Sequence, residues 1–88
     1  MSTVLQLTGP LTFDTVTPVL AQGINWIKKH KDSYIDFSQV TRTDSAGVAL
    51  LIEWLRFAKK KNHSLHFTHL PEQLLTIIRV SGLDTILK

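Results

Sequence analysis

The chain has 88 residues, of which 43% are hydrophobic and 19% are charged. This composition is typical of a soluble globular protein, and the length predicts a single domain over residues 1–88. The absence of cysteine excludes disulfides, thiolate catalysis and cysteine-based zinc sites. The net charge of +3 is only mildly basic, so charge alone assigns no partner.

The N-terminal segment MSTVLQLTGPL has neither a basic region nor a long apolar stretch, so a cleaved secretory signal is not expected. The longest apolar run, residues 48–52, is far shorter than the ~20 residues of a membrane-spanning helix. We therefore expect a cytoplasmic protein that does not insert directly into a membrane.

Hydrophobic periodicity predicts three strands that alternate with three helices. The strands are expected at residues 4–8, 34–40 and 64–70, and the helices at residues 12–29, 45–60 and from residue 71 onward. Gly9-Pro10 is predicted to end the first strand, Gly82 to follow the third helix, and residues 83–88 to form a short last helix. The β-α-β-α-β-α order predicts a small α/β sandwich with a mostly parallel central sheet.

The stretch TDSAG, residues 43–47, contains a serine between a predicted strand and a predicted helix. A nucleophilic serine can occupy such a turn, but Thr43 stands where the G-x-S-x-G motif has its first glycine, and no histidine is an obvious base. Asp44 or Ser45 can instead cap the helix by accepting a hydrogen bond from a free backbone N–H. The small residues Ala46 and Gly47 favour close approach of another surface at the helix start.

Other sequence patterns also argue against catalysis. No stretch matches the phosphate-binding loop of an ATPase. His63, His66 and His69 are spaced by three, and a strand would turn His66 and His69 to opposite sides, so one metal could not easily collect them. We therefore expect solvated histidines, no metal, no cofactor and no enzymatic activity.

The helix after TDSAG has two apolar sides. Steps of 100° per residue place one group on the side expected to face the core: Val48, Leu51, Ile52, Leu55 and Ala58. Nearly opposite lie Ala46, Leu50, Trp54 and Phe57. This second side predicts either packing against a neighbouring helix or a partner-binding surface. The sequence leaves both open, above all for Trp54.

Lysines follow two of the predicted helices, at Lys28, Lys29 and Lys31 and again at Lys59, Lys60 and Lys61. Cations at helix C-termini complement the helix dipole, which is the simpler interpretation. The alternative is an anionic partner, either lipid headgroups or nucleic acid. A nucleic-acid surface would interleave basic and aromatic residues along one face, and these lysines do not, so no nucleic-acid partner is expected.

The sequence IDFSQVTRTDSAGVALL, residues 35–51, resembles a STAS domain. Asp36 matches the acidic residue of the family's strand, and residues 44–47 match its Asp-Ser/Thr-small-Gly helix start. Weaker similarity runs from LTGPLTFDTV to SGLDTIL, nearly the whole chain. The resemblance implies the STAS fold, with helices packed on one face of the sheet.

Within that family, GPLTFDTV and DSAGVALLIEWLRFAKK are most similar to the small STAS subunit of a phospholipid-transport ABC complex. This resemblance implies a non-catalytic subunit that binds the ATPase of the complex and supports its assembly and activity. Through the ATPase it would be linked to the membrane permease and a further subunit at the inner membrane, and so to outer-membrane lipid asymmetry. The predicted partner-binding residues are Asp44, Ser45, Ala46, Gly47, Leu50 and Trp54.

The alternative within the family is an anti-sigma-factor antagonist, in which the residue matching Ser45 accepts a phosphate from a partner kinase. A phosphate on Ser45 would lie at a favourable helix N-terminus but beside the Asp44 carboxylate, so the two local effects nearly offset. The segment EWLRFAKK is closer to the transporter subunit than to the antagonist.

Overall fold

The computed structural model describes residues 4–82, in which strands and helices alternate strictly. The strands are β1 (Val4–Leu11), β2 (Asp32–Thr43) and β3 (Ser64–Thr68), and the helices are α1 (Val16–Lys29), α2 (Ser45–Lys61) and α3 (Glu72–Val80). The predicted β-α-β-α-β-α order is confirmed. The short last helix predicted at residues 83–88 lies outside the described residues. Within residues 4–82, no helix has both the length and the apolar character needed to cross a membrane.

The three strands form a parallel sheet in the order β1-β2-β3, with β2 in the centre. Parallel neighbours require crossover connections, which α1 and α2 supply. Alternate side chains of β2 are buried against the helices, including Ile35 and Phe37, and those between them lie on the opposite face. The helices thus pack on one face of a parallel sheet, as predicted.

Strand β1 continues past Gly9-Pro10, where the sequence predicted its end. Gly9 has a φ of +80°, and the register of β1 against β2 shifts between Gln6 and Thr8 and again between Gly9 and Pro10. A glycine adopts this backbone conformation without steric cost. Pro10 is tolerated because β1 is an edge strand of the described sheet. The Gly-Pro pair therefore marks an irregularity within the strand and not its end.

The core lies between the sheet and α2, and Trp54 is its largest side chain, fully buried. The Trp54 ring lies 6.5 Å from the Phe37 ring and 6.4 Å from the Phe67 ring, measured between centroids. Leu51 is fully buried, as predicted, but Leu55 is only half-buried, so its assignment to the core is wrong. Because α1 packs along the Trp54 side of α2, the buried face of the helix is rotated away from Leu55.

Candidate partner-binding site

The start of α2 is fixed by Asp44, which is its N-cap residue. The Asp44 carboxylate accepts a hydrogen bond of 2.8 Å from the Ala46 backbone N–H, and a longer one of 3.4 Å from the N–H of Phe13. The Asp44 N–H donates to the Leu11 carbonyl at 3.2 Å. Asp44 therefore caps α2 and also ties it to the turn that precedes α1.

Ser45 is the first residue of α2 and is exposed to solvent. Its hydroxyl has no hydrogen-bond partner among residues 4–82. Of the two residues that the sequence left open as the cap, Asp44 has that role. Ser45 is thus available to a partner at the positive end of the α2 dipole.

An apolar groove of about 380 Å³ begins at Ser45 and runs between α1 and α2. Its floor includes Ala46 and Leu50, which is only 2% exposed. Its other lining residues are Phe13, Val16, Leu20, Ser45, Ala49 and Glu53. Glu53 supplies the carboxylate of this lining and lies 3.6 Å from Arg56. The groove therefore suits an apolar side chain of a partner, with the α2 N-terminus at one end and a charge farther along.

Phe13 was not among the predicted site residues, although its side chain is 75% exposed at the mouth of the groove. The predicted helix over residues 12–29 would have placed Phe13 at helical spacing with Val16. The structure instead begins α1 at Val16, so Phe13 lies in the preceding turn and projects from the core. An aromatic residue in an otherwise polar turn was the available signal.

Trp54 and Leu50 are covered by the chain itself, which settles the alternative that the sequence left open. The Trp54 indole N–H donates to the Leu20 carbonyl of α1 at 3.1 Å. A Cβ built on Gly23 of α1 would overlap the same indole ring. Trp54 is therefore a core residue behind the groove and not an exposed partner contact, while Leu50 reaches the groove only through its floor.

Gly47 does not face the groove. A Cβ there would overlap the Thr43 side-chain oxygen and would lie 3.2 Å from the Leu74 Cδ1 atom of α3. The small size of Gly47 is therefore required by packing inside the chain. Packing within the chain accounts for a glycine at this position, and a role for Gly47 in partner binding stays a prediction.

The open face of the sheet carries a polar network centred on Asp36. Its carboxylate accepts hydrogen bonds from the Ser38 hydroxyl at 2.8 Å and from the Gln6 amide at 3.2 Å, and lies 2.9 Å from His69 Nδ1. These contacts, led by the Ser38 hydroxyl, lower the pKa of Asp36 to about 2 despite partial desolvation. The Thr68 hydroxyl of β3 also donates to Asp36 at 3.4 Å, so the network joins all three strands on the face opposite the helices.

The histidines are arranged differently from the prediction. His66 contacts Asp32 at 3.1 Å and His69 contacts Asp36, so both rings reach β2 on the open face. His69 lies beyond the end of β3 with a φ of +56°, and this left-handed turn breaks the strand alternation. Even so, no group of residues suited to a metal ion is found within residues 4–82. None of the four histidines lines the groove beside Ser45.

The family model for the MlaB-type STAS domain matches residues 1–88. The chain belongs to the MlaB-type STAS domain family. A relative of this STAS domain is the intermembrane phospholipid transport system binding protein MlaB of Haemophilus influenzae. The two are 33% identical over 84 residues, which cover 91% of this chain and 80% of the relative.

Solved structures share the fold of this STAS domain. The unphosphorylated anti-sigma factor antagonist SpoIIAA has a TM-score of 0.72 and 20% identity, over 93% of this chain and 73% of that one. A sulfate transporter family protein from Wolinella succinogenes has a TM-score of 0.72 and 17% identity, over 97% of this chain and 70% of that one. At such identities the likeness is one of fold, and it confirms the predicted STAS architecture.

Proposed function

We propose that this STAS domain is a non-catalytic accessory subunit of a phospholipid-transport ABC complex. It binds the MlaF-like ATPase and supports the assembly and activity of the complex. Through the ATPase it is associated with the MlaE-like permease and the MlaD-like subunit, on the cytoplasmic side of the inner membrane. Its role is to help maintain lipid asymmetry in the outer membrane. The similarity to MlaB of Haemophilus influenzae supports this proposal.

The observation that carries the proposal is the apolar groove beside Ser45. Its mouth holds Phe13, an aromatic side chain that is largely exposed in the isolated chain. An exposed aromatic ring beside an apolar groove is typical of protein–protein contacts.

Some of the predicted site residues are exposed at the proposed contact surface, whereas others are buried beneath it. Ser45 and Ala49 form its exposed rim on α2, with Phe13 opposite. Ala46 and Leu50 form the floor. Of the other predicted residues, Asp44 caps the start of α2 and Trp54 is buried behind the groove, whereas Gly47 packs against Thr43 and Leu74 away from it.

We expect Ala49→Arg to weaken ATPase binding by at least tenfold. Ala49 is exposed on the rim of the groove, and an arginine there would fill the space that a partner side chain must enter. The matched control is Ala21→Arg, which makes the same change at an exposed position of α1 outside the groove. Calorimetry with the purified MlaF-like ATPase measures both, and circular dichroism checks that each variant folds.

A second pair of variants tests the aromatic contact. Phe13 and Val80 are both large exposed apolar side chains, at 75% and 83% exposure, but only Phe13 borders the groove. Phe13→Ser should weaken binding to the ATPase, and Val80→Ser should not. Native affinity in both Ala49→Arg and Phe13→Ser would place the interface elsewhere and overturn the proposed site.

The anti-sigma-factor antagonist remains the second candidate because one observation favours it. The Ser45 hydroxyl is exposed and free of partners among residues 4–82, as a kinase substrate requires. The fold likeness to SpoIIAA extends to its phosphorylated form, with a TM-score of 0.69. Mass spectrometry of protein purified from its native cells separates the two candidates. A phosphate on Ser45 together with a co-purifying kinase would favour the antagonist, and a co-purifying ATPase would favour the transporter subunit.

A further inference from the structure

Two groups of lysines that are far apart in sequence meet at one end of the molecule. Both α1 and α2 run back along the parallel sheet, so their last turns lie beside the first residues of β2 and β3. We call the six lysines at this end the lysine pole: Lys28, Lys29, Lys31, Lys59, Lys60 and Lys61. Six of the ten Lys and Arg side chains of the chain are thus concentrated at one end.

One backbone hydrogen bond and one side-chain contact hold the two halves of the pole together. The Ser64 N–H donates to the Lys31 carbonyl at 2.7 Å, joining the segments that enter β2 and β3. His63 Nδ1 lies 2.8 Å from the Ile27 carbonyl, one residue before the lysines of α1. The lysine pole is therefore a fixed feature of the fold and not a chance approach of two flexible ends.

The lysines of the pole are not paired with carboxylates within residues 4–82, and Asp32, the carboxylate next to Lys31, contacts His66. All six lysines are exposed, and none forms an ion pair with a carboxylate in this part of the chain. Lys61 instead lies over the Phe57 ring, with its ammonium 5.9 Å from the ring centroid. Because these exposed cations lie close together, their charges sum to a positive potential at this end of the molecule.

Helix dipoles account for only part of this arrangement. Cations in the last turn stabilise a helix, and Lys28, Lys29 and the three lysines of α2 occupy such positions. Lys31 lies beyond the end of α1, where the dipole effect has fallen off. Neither helix dipole requires the lysines of α1 and those of α2 to lie at the same end of the molecule.

We propose that the lysine pole binds anionic phospholipid headgroups at a membrane surface. An anionic leaflet attracts clustered lysines without any shaped pocket, and each lysine near the surface strengthens binding about fivefold. Lysine is a compact, strongly hydrated charge and suits a diffuse anionic surface better than a planar, bidentate target. Since α2 has 17 residues and spans about 25 Å, the pole is remote from Ser45. The domain could therefore contact lipid and a protein partner together.

A nucleic acid is a less suitable partner for the same surface. Single-stranded nucleic acids stack on exposed aromatic rings, and duplex recognition relies heavily on arginine. The lysine pole contains no arginine, and the aromatic rings within its two helices, Trp26 and Phe57, are half-buried against the core. The charge type therefore favours lipid headgroups.

The test is vesicle co-sedimentation with the full chain. Phosphatidylcholine vesicles are compared with vesicles that also hold about 30 mol% phosphatidylglycerol, at ~0.1 M and ~0.5 M NaCl. The variant Lys29→Gln/Lys60→Gln removes one charge from each half of the pole. Its charge-matched control, Arg42→Gln/Arg79→Gln, removes two exposed cations outside the pole.

We expect binding to the anionic vesicles only, and its loss at the higher salt concentration. The Lys29→Gln/Lys60→Gln variant should bind about 25-fold more weakly than the unaltered chain, and the arginine control within about twofold. Equal binding to both vesicle types, or equal losses in the two double variants, would overturn the proposal. Displacement from vesicles by duplex DNA at equal phosphate concentration would also overturn it and identify a nucleic-acid surface. None of these outcomes depends on whether the groove beside Ser45 binds an ATPase.

Discussion

The two faces of the sheet are stabilised by different physical effects, although β2 contributes to both. On the covered face, Ile35 and Phe37 are buried against apolar side chains of the helices. On the open face, Asp36 lies between them and is held by hydrogen bonds to Gln6 and Ser38. The covered face therefore depends on close packing, which tolerates little change in volume, and the open face depends on charge and protonation.

The largest expected effect is the loss of Trp54 from the covered face. Trp54→Ala should lower the free energy of unfolding by ~3–5 kcal/mol, since it leaves a cavity among fully packed neighbours. In an 88-residue domain this approaches the whole stability. Urea denaturation of the variant measures the effect. The matched change Leu55→Ala should cost less, because Leu55 is only half-buried. Equal losses for the two variants would show that the buried face of α2 is assigned incorrectly.

At Gly23, on the α1 side of the same core, Gly→Ala is expected to destabilise the protein, although the same change stabilises most helices. At an open helix position, Gly→Ala would stabilise the protein by ~1 kcal/mol. Here the new Cβ would overlap the Trp54 indole, and overpacking costs ~1–3 kcal/mol, so Gly23→Ala should destabilise the domain. Thermal denaturation gives the sign directly.

The Gly23 effect should disappear when the indole is made smaller. In the Trp54→Phe background, the atoms that a Gly23 Cβ would overlap are partly removed, so Gly23→Ala should become neutral or stabilising. This double-mutant comparison isolates the contact between the two residues. If Gly23→Ala destabilises equally in both backgrounds, the glycine is required for another reason.

The helix cap that connects the covered face to the groove should have an intermediate effect. Asp44→Ala removes the acceptor for the Ala46 N–H and should cost ~1 kcal/mol of unfolding free energy. Ser45→Ala should leave stability unchanged, because the Ser45 hydroxyl has no partner among residues 4–82. The order of the two variants in chemical denaturation decides which residue is the cap. A larger loss for Ser45→Ala would reverse the assignment.

Local patterns in the sequence predicted much of the covered face. Period-two alternation in β2 and helical spacing in α2 fixed the element order and the burial of Leu51. The same patterns did not predict that Leu55 is only half-buried or that Gly23 accommodates Trp54. Those outcomes depend on how α1 packs across α2, which is a contact between segments some thirty residues apart.

The sequence motif predicted where the candidate site lies, but the packing of the chain changed which residues belong to it. The Asp-Ser-Ala-Gly stretch correctly located the start of α2. The motif could not distinguish a small residue required by a partner from one required by Thr43 and Leu74, as Gly47 is. The motif also gave no indication that Phe13 borders the site, because the exposure of Phe13 depends on the turn before α1.

The smallest expected effect lies on the open face and depends on pH. The folded-state pKa of Asp36, about 2, is below its ordinary value of 3.8, so the ionised carboxylate stabilises the folded protein. This contribution is fully present above pH 3.8 and is lost as the pH falls through about 2. The stability difference between the unaltered chain and Asp36→Asn should therefore shrink over that acidic range. Since Asp36 is partly exposed, at 14% for the side chain, the difference should be smaller than the packing effects at Trp54.

The Ser38 hydroxyl gives this last prediction its sharpest form, because it is the largest cause of the lowered pKa of Asp36. Ser38→Ala should raise the pKa of Asp36 towards 3.8, and NMR titration of the Asp36 carboxyl carbon measures that change directly. Ser64→Ala, which removes a strand hydroxyl that does not contact Asp36, is the matched control. The Trp54 and Gly23 variants should leave the Asp36 titration unchanged if the two faces are independent. A shift of the Asp36 pKa in Trp54→Phe would show instead that packing on the covered face sets the geometry of the open one.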